Sequence, residues 1–444
     1  MLSPLGNRTY RHLFAAQAIA LVGTGLATVA LGLLAYELAG ADAGAVLGTA
    51  LAIKMIAYVG VAPVANAFAD RLPRRSFLVA MDAVRAAVAL LLPFVDQVWQ
   101  VYVLIFVLQS ASAAFTPAFQ ATIPDALPEE KEYTKALSLS RLAYDLESLL
   151  SPTVAAALLS VVSFHWLFGG TAIGFVASAL LVLSTVIPQP KPSDRHGGIY
   201  ERTTRGSRIY LATPRLRGLL ALNLSVAAAG AMVIVNTVVY VQSVLGRPAP
   251  DVALALALFG GGSMLAALLL PRLLDRLPDR AVMLSGAALL ALAMLGMGAL
   301  SLRTPAGWPV LLAAWFILGL GYSAVLTPSG RLLRRSSHES DRPALFAAQF
   351  ALSHACWLLT YPLAGWLGAE TGMPTTFLVL GGLTALGVAI APAVWPANDP
   401  EIIEHVHEDL PPDHPHVHGA ARTGYGLKHA HAFVIDDHHR HWPG

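Results

Sequence analysis

Histidines near the end of the chain are the residues whose type and spacing most clearly suggest chemistry. Ten of the fifteen histidines fall in the last forty residues, in the patterns H-x-H, H-x-H-x-H, H-x-H and H-H-x-H: His405, His407, His414, His416, His418, His429, His431, His438, His439 and His441. Residues two apart in an extended segment point the same way, so one H-x-H pair can present two imidazoles to one ion. Neutral imidazole suits nickel, copper, zinc and cobalt. We therefore expect these ten histidines to bind a borderline divalent metal.

The segment that carries them, residues 397–444, differs in composition from the rest of the chain. It has no long apolar run and no cysteine, which argues against a copper(I) or thiolate site. An expression tag would be an uninterrupted run of histidine, whereas these histidines are spread through acidic and proline-containing sequence; an inert polar tail is the other alternative. Because the segment has little to bury, we expect it to be disordered without metal.

The remaining sequence has the composition of a membrane protein. Of 444 residues, 56% are hydrophobic and only 13% are charged, and the mean hydropathy is +0.60. A soluble domain of this length could not hide so much apolar surface, so the lipid bilayer must be the solvent. The net charge of +2 indicates no nucleic-acid partner, and the single cysteine, Cys356, excludes a disulfide framework. No constellation of catalytic residues occurs, so we expect no enzyme and no bound cofactor.

Apolar windows of at least about 18 residues identify membrane helices. Twelve such windows occur, near residues 12–38, 45–67, 77–95, 100–120, 138–160, 165–187, 216–244, 252–273, 281–301, 309–328, 344–367 and 374–395. Lys and Arg are concentrated in alternate connections and in the central loop. This asymmetry predicts a multi-pass protein of the bacterial inner membrane with both termini and the central loop in the cytoplasm.

The two halves of the chain repeat one another. Three pairs of short motifs recur at offsets of 205, 211 and 210 residues: Asp70-Arg71 with Asp275-Arg276, Thr116-Pro117 with Thr327-Pro328, and Ser151-Pro152 with Tyr361-Pro362. Matches at nearly one spacing indicate two parallel halves of six helices. We expect an N-terminal half over residues 1–188, a cytoplasmic linker loop over 189–214, a C-terminal half over 215–396 and the tail beyond.

At these residues the chain resembles the major facilitator superfamily, whose signature loop after the second helix has the form G-x-x-x-D-R-x-G-R-R. Four positions match, Asp70, Arg71, Arg74 and Arg75, while Asn66 and Pro73 replace the glycines. The resemblance implies an all-α fold of twelve transmembrane helices. It also implies that this loop, and more weakly Asp275 and Arg276, makes contacts that break and re-form as the halves rock. The positive charges of the loop would also anchor it on the cytoplasmic side, and this topological role does not compete with gating.

Several polar residues are predicted to lie at membrane depth, where charge is costly and usually faces a partner or a wet cavity. Arg141 and Asp145 are four residues apart on the fifth helix, so they can neutralise each other. Glu147 lies about 200° around the helix from Asp145 and needs another partner, a proton or a cation. His354 aligns with Tyr144 through the repeat and could reach the same level. Together with two polar residues of the seventh helix, the candidates for the transport pathway are Glu147, Asp145, Arg141, His354, Asn223 and Asn236.

A major facilitator core with a histidine-rich C-terminus resembles the nickel-resistance exporters of the NreB type. The resemblance implies export of Ni²⁺, and of Co²⁺ as a second substrate, against inward protons. One alternative is an exporter of organic compounds, a drug or a siderophore, with a metal-regulated tail, although the Gly-Pro motif of drug antiporters is replaced by Ser151-Pro152. Another is a membrane metal sensor that transports nothing. We expect a monomer whose partners are the lipid bilayer and a small ion.

Overall fold

The computed structural model describes residues 2–39, 43–69, 72–187, 198–400, 402–407, 410–411, 414–439 and 441–443. The helices of this part of the chain are α1 (Arg8–Ala39), α2 (Ala43–Ala69), α3 (Arg74–Leu91), α4 (Val98–Ala126), α5 (Glu130–Leu159), α6 (His165–Leu183), α7 (Ile199–Ala212), α8 (Pro214–Val238), α9 (Ala249–Leu274), α10 (Asp279–Leu300), α11 (Trp308–Leu326), α12 (Ser329–Arg335), α13 (Arg342–Glu370) and α14 (Met373–Val394). A π-helical turn, Val239–Val244, extends α8.

Eleven spans in the described residues are long and apolar enough to cross a membrane, and a bent twelfth completes the set. The bent span is α5, which changes direction by 41° between Ser148 and Thr153. Large apolar side chains on the outer surface, such as Ile173 (72% exposed) and Leu292 (70% exposed), suit contact with lipid. The predicted twelve-helix fold is therefore confirmed.

The repeated Thr-Pro motif has different outcomes in the two halves. α4 continues through Pro117, whereas the equivalent helix of the second half breaks at Thr327 and Pro328 into α11 and α12. Proline removes one helical hydrogen bond, so the break leaves α12 as a separate short segment. That segment, together with the loop after it, brings basic side chains to the surface from which both chain termini emerge.

The two halves meet along two pairs of helices. The pairs are equivalent in the internal repeat, because α2 corresponds to α9 and α5 corresponds to α13. α2 packs on α13, and α5 packs on α9. Tyr58 of α2 lies against Phe350 of α13, with ring centroids 4.8 Å apart. The chain termini lie on one face of the bundle: Ser3 bonds Glu132 at the start of α5, Arg334 bonds the carbonyl of Pro128, and Arg335 pairs with Asp399. We call this surface the termini face.

The expected linker loop and the tail both contain regular structure that the sequence did not indicate. Residues 199–212 of the expected linker loop form α7, because Ile209 and Tyr210 are buried on one side of it while its charged residues stay at the surface. Gly206 allows close packing on α13, since a Cβ there would lie 2.0 Å from the carbonyl oxygen of Ala344. The rest of the expected loop, residues 188–197, lies outside the described residues.

The second region is the tail, for which disorder without metal stays a prediction. Its described residues form a three-stranded antiparallel sheet in the order β1-β3-β2, with β1 at Ile402–His407, β2 at Ala421–Thr423 and β3 at Gly426–Ala432. The tail buries more apolar surface than its composition suggested, because Phe433, Val434 and Ile435 follow β3 directly and are 3–6% exposed. Phe433 and Ile435 join the core of the C-terminal half.

Candidate metal centre and transport pathway

The tail sheet presents four histidines from one face. β1 and β3 run antiparallel with His405 opposite His429. Because side chains two residues apart share a face of a strand, His407 and His431 point to the same side as that pair. The H-x-H spacing on each strand therefore brings two imidazoles to a common surface.

Two further histidines close this surface into a cage. His416 lies in a 3-10 turn (Pro415–Val417), and His439 follows the apolar segment after β3. Contacts between Nε2 atoms join four of the imidazoles in a ring, at 3.1 Å for His405–His407, 3.2 Å for His407–His416, 3.2 Å for His416–His439 and 3.0 Å for His439–His405. A square with such sides has corners about 2.2 Å from its centre, close to the metal–nitrogen distance of about 2.0–2.1 Å for imidazole ligands.

The other two imidazoles of the cage have buried nitrogen atoms in need of a partner. The Nε2 atoms of His429 and His431 are buried and make no hydrogen bond within the described part of the chain. Ligand nitrogens from all six histidines lie within 4.8 Å of one another. An octahedral ion with bonds of about 2.1 Å would need opposite donors about 4.2 Å apart. The residues present therefore fit one six-coordinate divalent ion, and we call these six histidines the six-histidine centre.

Hydrogen bonds behind the rings fix the direction in which the ligand nitrogens point. The Nδ1 atoms of His405 and His431 lie 3.0 Å and 2.8 Å from the carbonyl oxygens of Ile403 and Ala432. The Nδ1 atom of His439 lies 2.9 Å from the carboxylate of Asp436. Such partners hold the proton on Nδ1 and leave Nε2 free to bind a metal.

Burial keeps the centre in its metal-binding protonation state. Burial first, and then the neighbouring imidazoles with His439 foremost among them, together lower the pKa of His407 and of His416 to about 4. Both rings are therefore neutral at physiological pH, as a metal ligand must be. Burial acts to raise the pKa of Asp436, but hydrogen bonds from His338 and His439 outweigh it and hold that pKa well below its usual range.

The structure gathers six of the ten predicted histidine ligands. His414, His418, His438 and His441 lie outside the group, although the ring of His414 meets that of His438 edge-on, with centroids 5.0 Å apart. The H-x-H pattern alone could not separate the two sets. What separates them is their place in the tail: every histidine of β1 and β3 belongs to the centre, where the antiparallel pairing brings them together, whereas the four excluded histidines all lie outside the strands.

The tail is attached to the termini face by polar contacts as well as by its apolar residues. Asp436 accepts a hydrogen bond of 3.2 Å from His338, in the loop between α12 and α13. Asp437 pairs with Arg205 of α7 at 2.8 Å. Arg215, at the start of α8, reaches the carbonyl of Phe433 and lies 4.9 Å from the ring of Trp442. The six-histidine centre therefore sits on the C-terminal half.

Within the membrane, the predicted ion pair of the fifth helix is confirmed. Arg141 binds Asp145 through two nitrogens, and Ser263 of α9 donates a hydrogen bond of 2.7 Å to the same carboxylate. The Arg141 guanidinium lies 5.1 Å from the ring of Tyr322 in α11. Because α5 belongs to one half and α9 and α11 to the other, this pair joins the halves midway through the membrane.

Lys54 of α2 has its Nζ atom 5.5 Å from the ring centroid of Tyr58 on the same helix. Glu147 accepts a hydrogen bond of 3.3 Å from Ser151. His354 bonds the carbonyl of Phe350 and meets the ring of Tyr58 edge-on at 4.8 Å. The expectation that Glu147 takes a proton or a cation as its partner stays a prediction.

The two asparagines of α8 occupy different environments. Asn223 donates to Gln349 of α13 at 3.4 Å, and its buried carbonyl oxygen has no partner among the described residues. Asn236 donates to the carbonyl of Ala364 at 3.0 Å and packs against Gly368, where a Cβ would lie 2.5 Å from its oxygen. Asn236 thus joins two helices of one half, while Asn223 retains an unused acceptor.

On the termini face, the predicted gating residues divide into those that join the halves and those that do not. Arg74 pairs with Asp125 at the end of α4 at 2.5 Å, and Asp125 also pairs with Arg342, the first residue of α13. Arg75 reaches the carbonyl of Thr185 at 3.5 Å within its own half. Asp275 and Arg276 are exposed at the end of α9, and Asp70 and Arg71 lie outside the described residues.

A second cross-half cluster was missed by the sequence reasoning. Arg331 of α12 pairs with Asp279 of α10 at 2.9 Å and with Glu130, the first residue of α5, at 2.5 Å. Asp279 aligns with Arg74 at the 205-residue offset. The signal that could have found it was an acidic residue at a helix end on a surface that is otherwise basic.

Two bundles of six helices, joined by ion pairs between the halves, define the class of a secondary transporter. The sequence profile of the Major Facilitator Superfamily matches residues 13–248 and 219–423, and the chain belongs to that family.

Relatives and solved structures agree on the fold and differ in what they transport. An uncharacterised MFS-type transporter, YfiS of Bacillus subtilis, is 25% identical over 72% of this chain and 78% of its own length. Macrolide efflux protein A of Streptococcus pyogenes is 27% identical over 41% of this chain and 45% of its own length. The human organic anion transporter MFSD10 has a TM-score of 0.72 at 14% identity, covering 86% of this chain and 99% of its own. An outward-facing bacterial homologue of the iron transporter ferroportin has a TM-score of 0.71 at 14% identity, covering 87% and 98%.

Proposed function

We propose that this protein exports a divalent transition metal, with Ni²⁺ as the first choice and Co²⁺ as the second, from the cytoplasm across the inner membrane. The observation that supports the proposal is the six-histidine centre, because six convergent imidazole nitrogens suit a borderline ion that accepts six ligands. Tetrahedral zinc sites use only four ligands. The termini face, where the tail docks, would be the cytoplasmic side, as the Lys and Arg distribution indicates.

Measurements of metal accumulation in cells distinguish between the possible metal substrates. Cells with and without the gene would be loaded with nickel, cobalt, zinc or copper, and the retained metal measured. We expect the gene to lower nickel most and cobalt next, with little change in zinc or copper. Equal retention of all four metals would contradict the proposal. Reporter fusions after Arg205 and after His418 should both give a cytoplasmic signal.

Glu147 is the proposed group that exchanges metal for protons inside the membrane, because a coupled exporter needs an ionisable group in its pathway. Glu147→Gln should abolish nickel flux in membrane vesicles while leaving protein abundance and tail binding intact, and His354→Ala should weaken the flux. Ser148→Ala, beside it on the same helix and exposed, is a matched control that should transport normally. Wild-type flux in Glu147→Gln would remove Glu147 from the mechanism.

An exporter of organic compounds with a metal-responsive tail is the second candidate. It is favoured by aromatic side chains of the C-terminal half, where Tyr322, Trp357 and Tyr361 are linked by ring contacts of 6.5 Å and 4.9 Å. The similarity to macrolide efflux proteins also supports it. A lower macrolide susceptibility in cells that carry the gene, with unchanged nickel retention, would establish this candidate in place of the first.

A further inference from the structure

The six-histidine centre has the properties of a site that holds an ion rather than one that passes it on. Sites that exchange ligands keep an open position, whereas closed sites fill every position with protein. Six imidazoles fill an octahedron, and two of them, His407 (8% exposed) and His439 (4% exposed), are shielded from water. A complete ligand set carried by the tail itself is suited to sensing, because the stability of the folded tail then depends on whether the ion is bound.

One ligand of the centre is connected directly to the loop that precedes α13. The ring of His439 bonds Asp436, and the second oxygen of Asp436 accepts from His338. The carbonyl oxygen of His338 in turn accepts the backbone N–H groups of Asp341 and Arg342, both at 3.0 Å. A shift of His338 would therefore change two backbone hydrogen bonds at the first turn of α13.

A second connection reaches the same turn from α7. Arg205 bonds Asp437 of the tail at 2.8 Å and both carboxylate oxygens of Asp341, at 2.5 Å and 3.2 Å. One guanidinium therefore joins the tail to Asp341, the N-cap residue of α13. Arg342, the next residue, carries the ion pair with Asp125 of the opposite half.

From these contacts we infer that the six-histidine centre is a metal sensor, and that a bound divalent ion stabilises the first turn of α13 and the Arg342–Asp125 pair that closes the termini face. An ion that binds only the folded tail stabilises the folded tail and everything that depends on its docking. The inference rests on the proposed function only for the identity of the ion. It applies equally to an exporter of organic compounds.

Hydrogen exchange on the full-length protein in detergent, with Ni²⁺ or with a chelator, tests the inference. Three segments are followed: residues 402–407 and 426–432 in the tail, and residues 336–345 around the start of α13. We expect Ni²⁺ to slow exchange in all three, by about fivefold or more at residues 336–345, the scale of a typical coupling between two sites. Slowing confined to the tail, or no slowing anywhere, would overturn the inference.

A pair of double variants separates transmission from binding. Asp437→Ala with His338→Ala removes both connections but keeps all six ligands and Asp436, so Ni²⁺ should still protect the tail but no longer residues 336–345. The control, Glu404→Ala with His418→Ala, removes an acid and a histidine that are exposed in the tail, and it should behave as the wild type.

Protection of residues 336–345 that survives in the first double variant would also contradict the inference. Nickel retention by cells is measured separately. The two measurements are independent. Nickel retention can contradict the proposed export function while hydrogen exchange supports the coupling, and the reverse result is equally possible.

Discussion

The two ion clusters on the termini face occupy equivalent places in the repeat and carry opposite charges. In the N-terminal half, Asp125 lies between two cations, Arg74 of its own half and Arg342 at the start of α13. In the C-terminal half, Arg331 lies between two anions, Asp279 of its own half and Glu130 at the start of α5. Because α5 and α13 correspond in the repeat, each cluster makes the same connection with inverted charges.

The clusters also differ in how far they are removed from water. The side chains of Arg74, Asp125 and Arg342 are 8–9% exposed, whereas Glu130 is 63% exposed. Losing a partner is costly for buried charges and cheap for exposed ones. The first cluster should therefore dominate the stability of the closed termini face.

The largest effect is expected from Asp125→Asn, which leaves two buried guanidinium groups around a neutral amide. Breaking a buried pair in this way costs about 3–5 kcal/mol. Maleimide labelling of a Leu127→Cys probe should rise strongly, and the midpoint of thermal unfolding should fall. Asp96→Asn, an exposed acid outside both clusters, is the control and should change neither. Unchanged labelling in Asp125→Asn would show that this cluster does not close the face.

An intermediate effect is expected from Arg331→Gln. Asp279 is buried and would lose its charged partner, at a cost of about 1–3 kcal/mol, while the exposed Glu130 would return to water. The same probe should show a smaller rise in labelling than in Asp125→Asn. An effect larger than that of Asp125→Asn would reverse the ranking of the two clusters.

Glu130→Gln should have a small effect, about 0–1 kcal/mol, because surface ion pairs contribute little. Arg331 would keep its contacts with Asp279 and with the hydroxyl of Thr134, at 2.6 Å. A shift in the unfolding midpoint as large as that of Arg331→Gln would mean that Glu130 is shielded from water in the membrane-embedded protein.

Salt should give the smallest and most selective effect. Raising the ionic strength from about 0.1 to 1 M shortens the Debye length from about 10 to 3 Å, which weakens exposed pairs and spares buried ones. Labelling of the probe should therefore rise slightly with salt in the wild type and in Asp96→Asn, and less in Glu130→Gln. Equal salt dependence in all three proteins would place the screened interaction elsewhere.

Hydrophobicity and the repeat were sufficient to predict the twelve-helix fold, because lipid imposes helices on any long apolar segment. The same criterion failed for α7, whose burial depends on one side of a polar helix and on close packing at Gly206. It also could not foresee that proline interrupts the helix at Pro328 and not at Pro117, since local packing decides whether the lost hydrogen bond is tolerated.

At the candidate sites, local spacing was informative and long-range pairing was not. The four-residue spacing of Arg141 and Asp145 predicted their ion pair. The histidine pattern predicted metal ligands but not which six converge, because that depends on strand register and on His416 and His439, which come from separate turns. The three-stranded sheet of the tail was not predicted, because composition alone does not reveal how the apolar residues that follow β3 pack.

The inverted charges also decide which halves can assemble. If an N-terminal half met the same half of another copy, Asp125 would face Glu130 twice, and two C-terminal halves would bring Arg331 against Arg342 twice. Only the pairing of unlike halves places each anion beside a cation, and like-charge contact discriminates against the wrong partner. During synthesis the first half enters the membrane before the second exists. The charge pattern therefore favours pairing of the first half with the second half over pairing with a like half of a neighbouring copy.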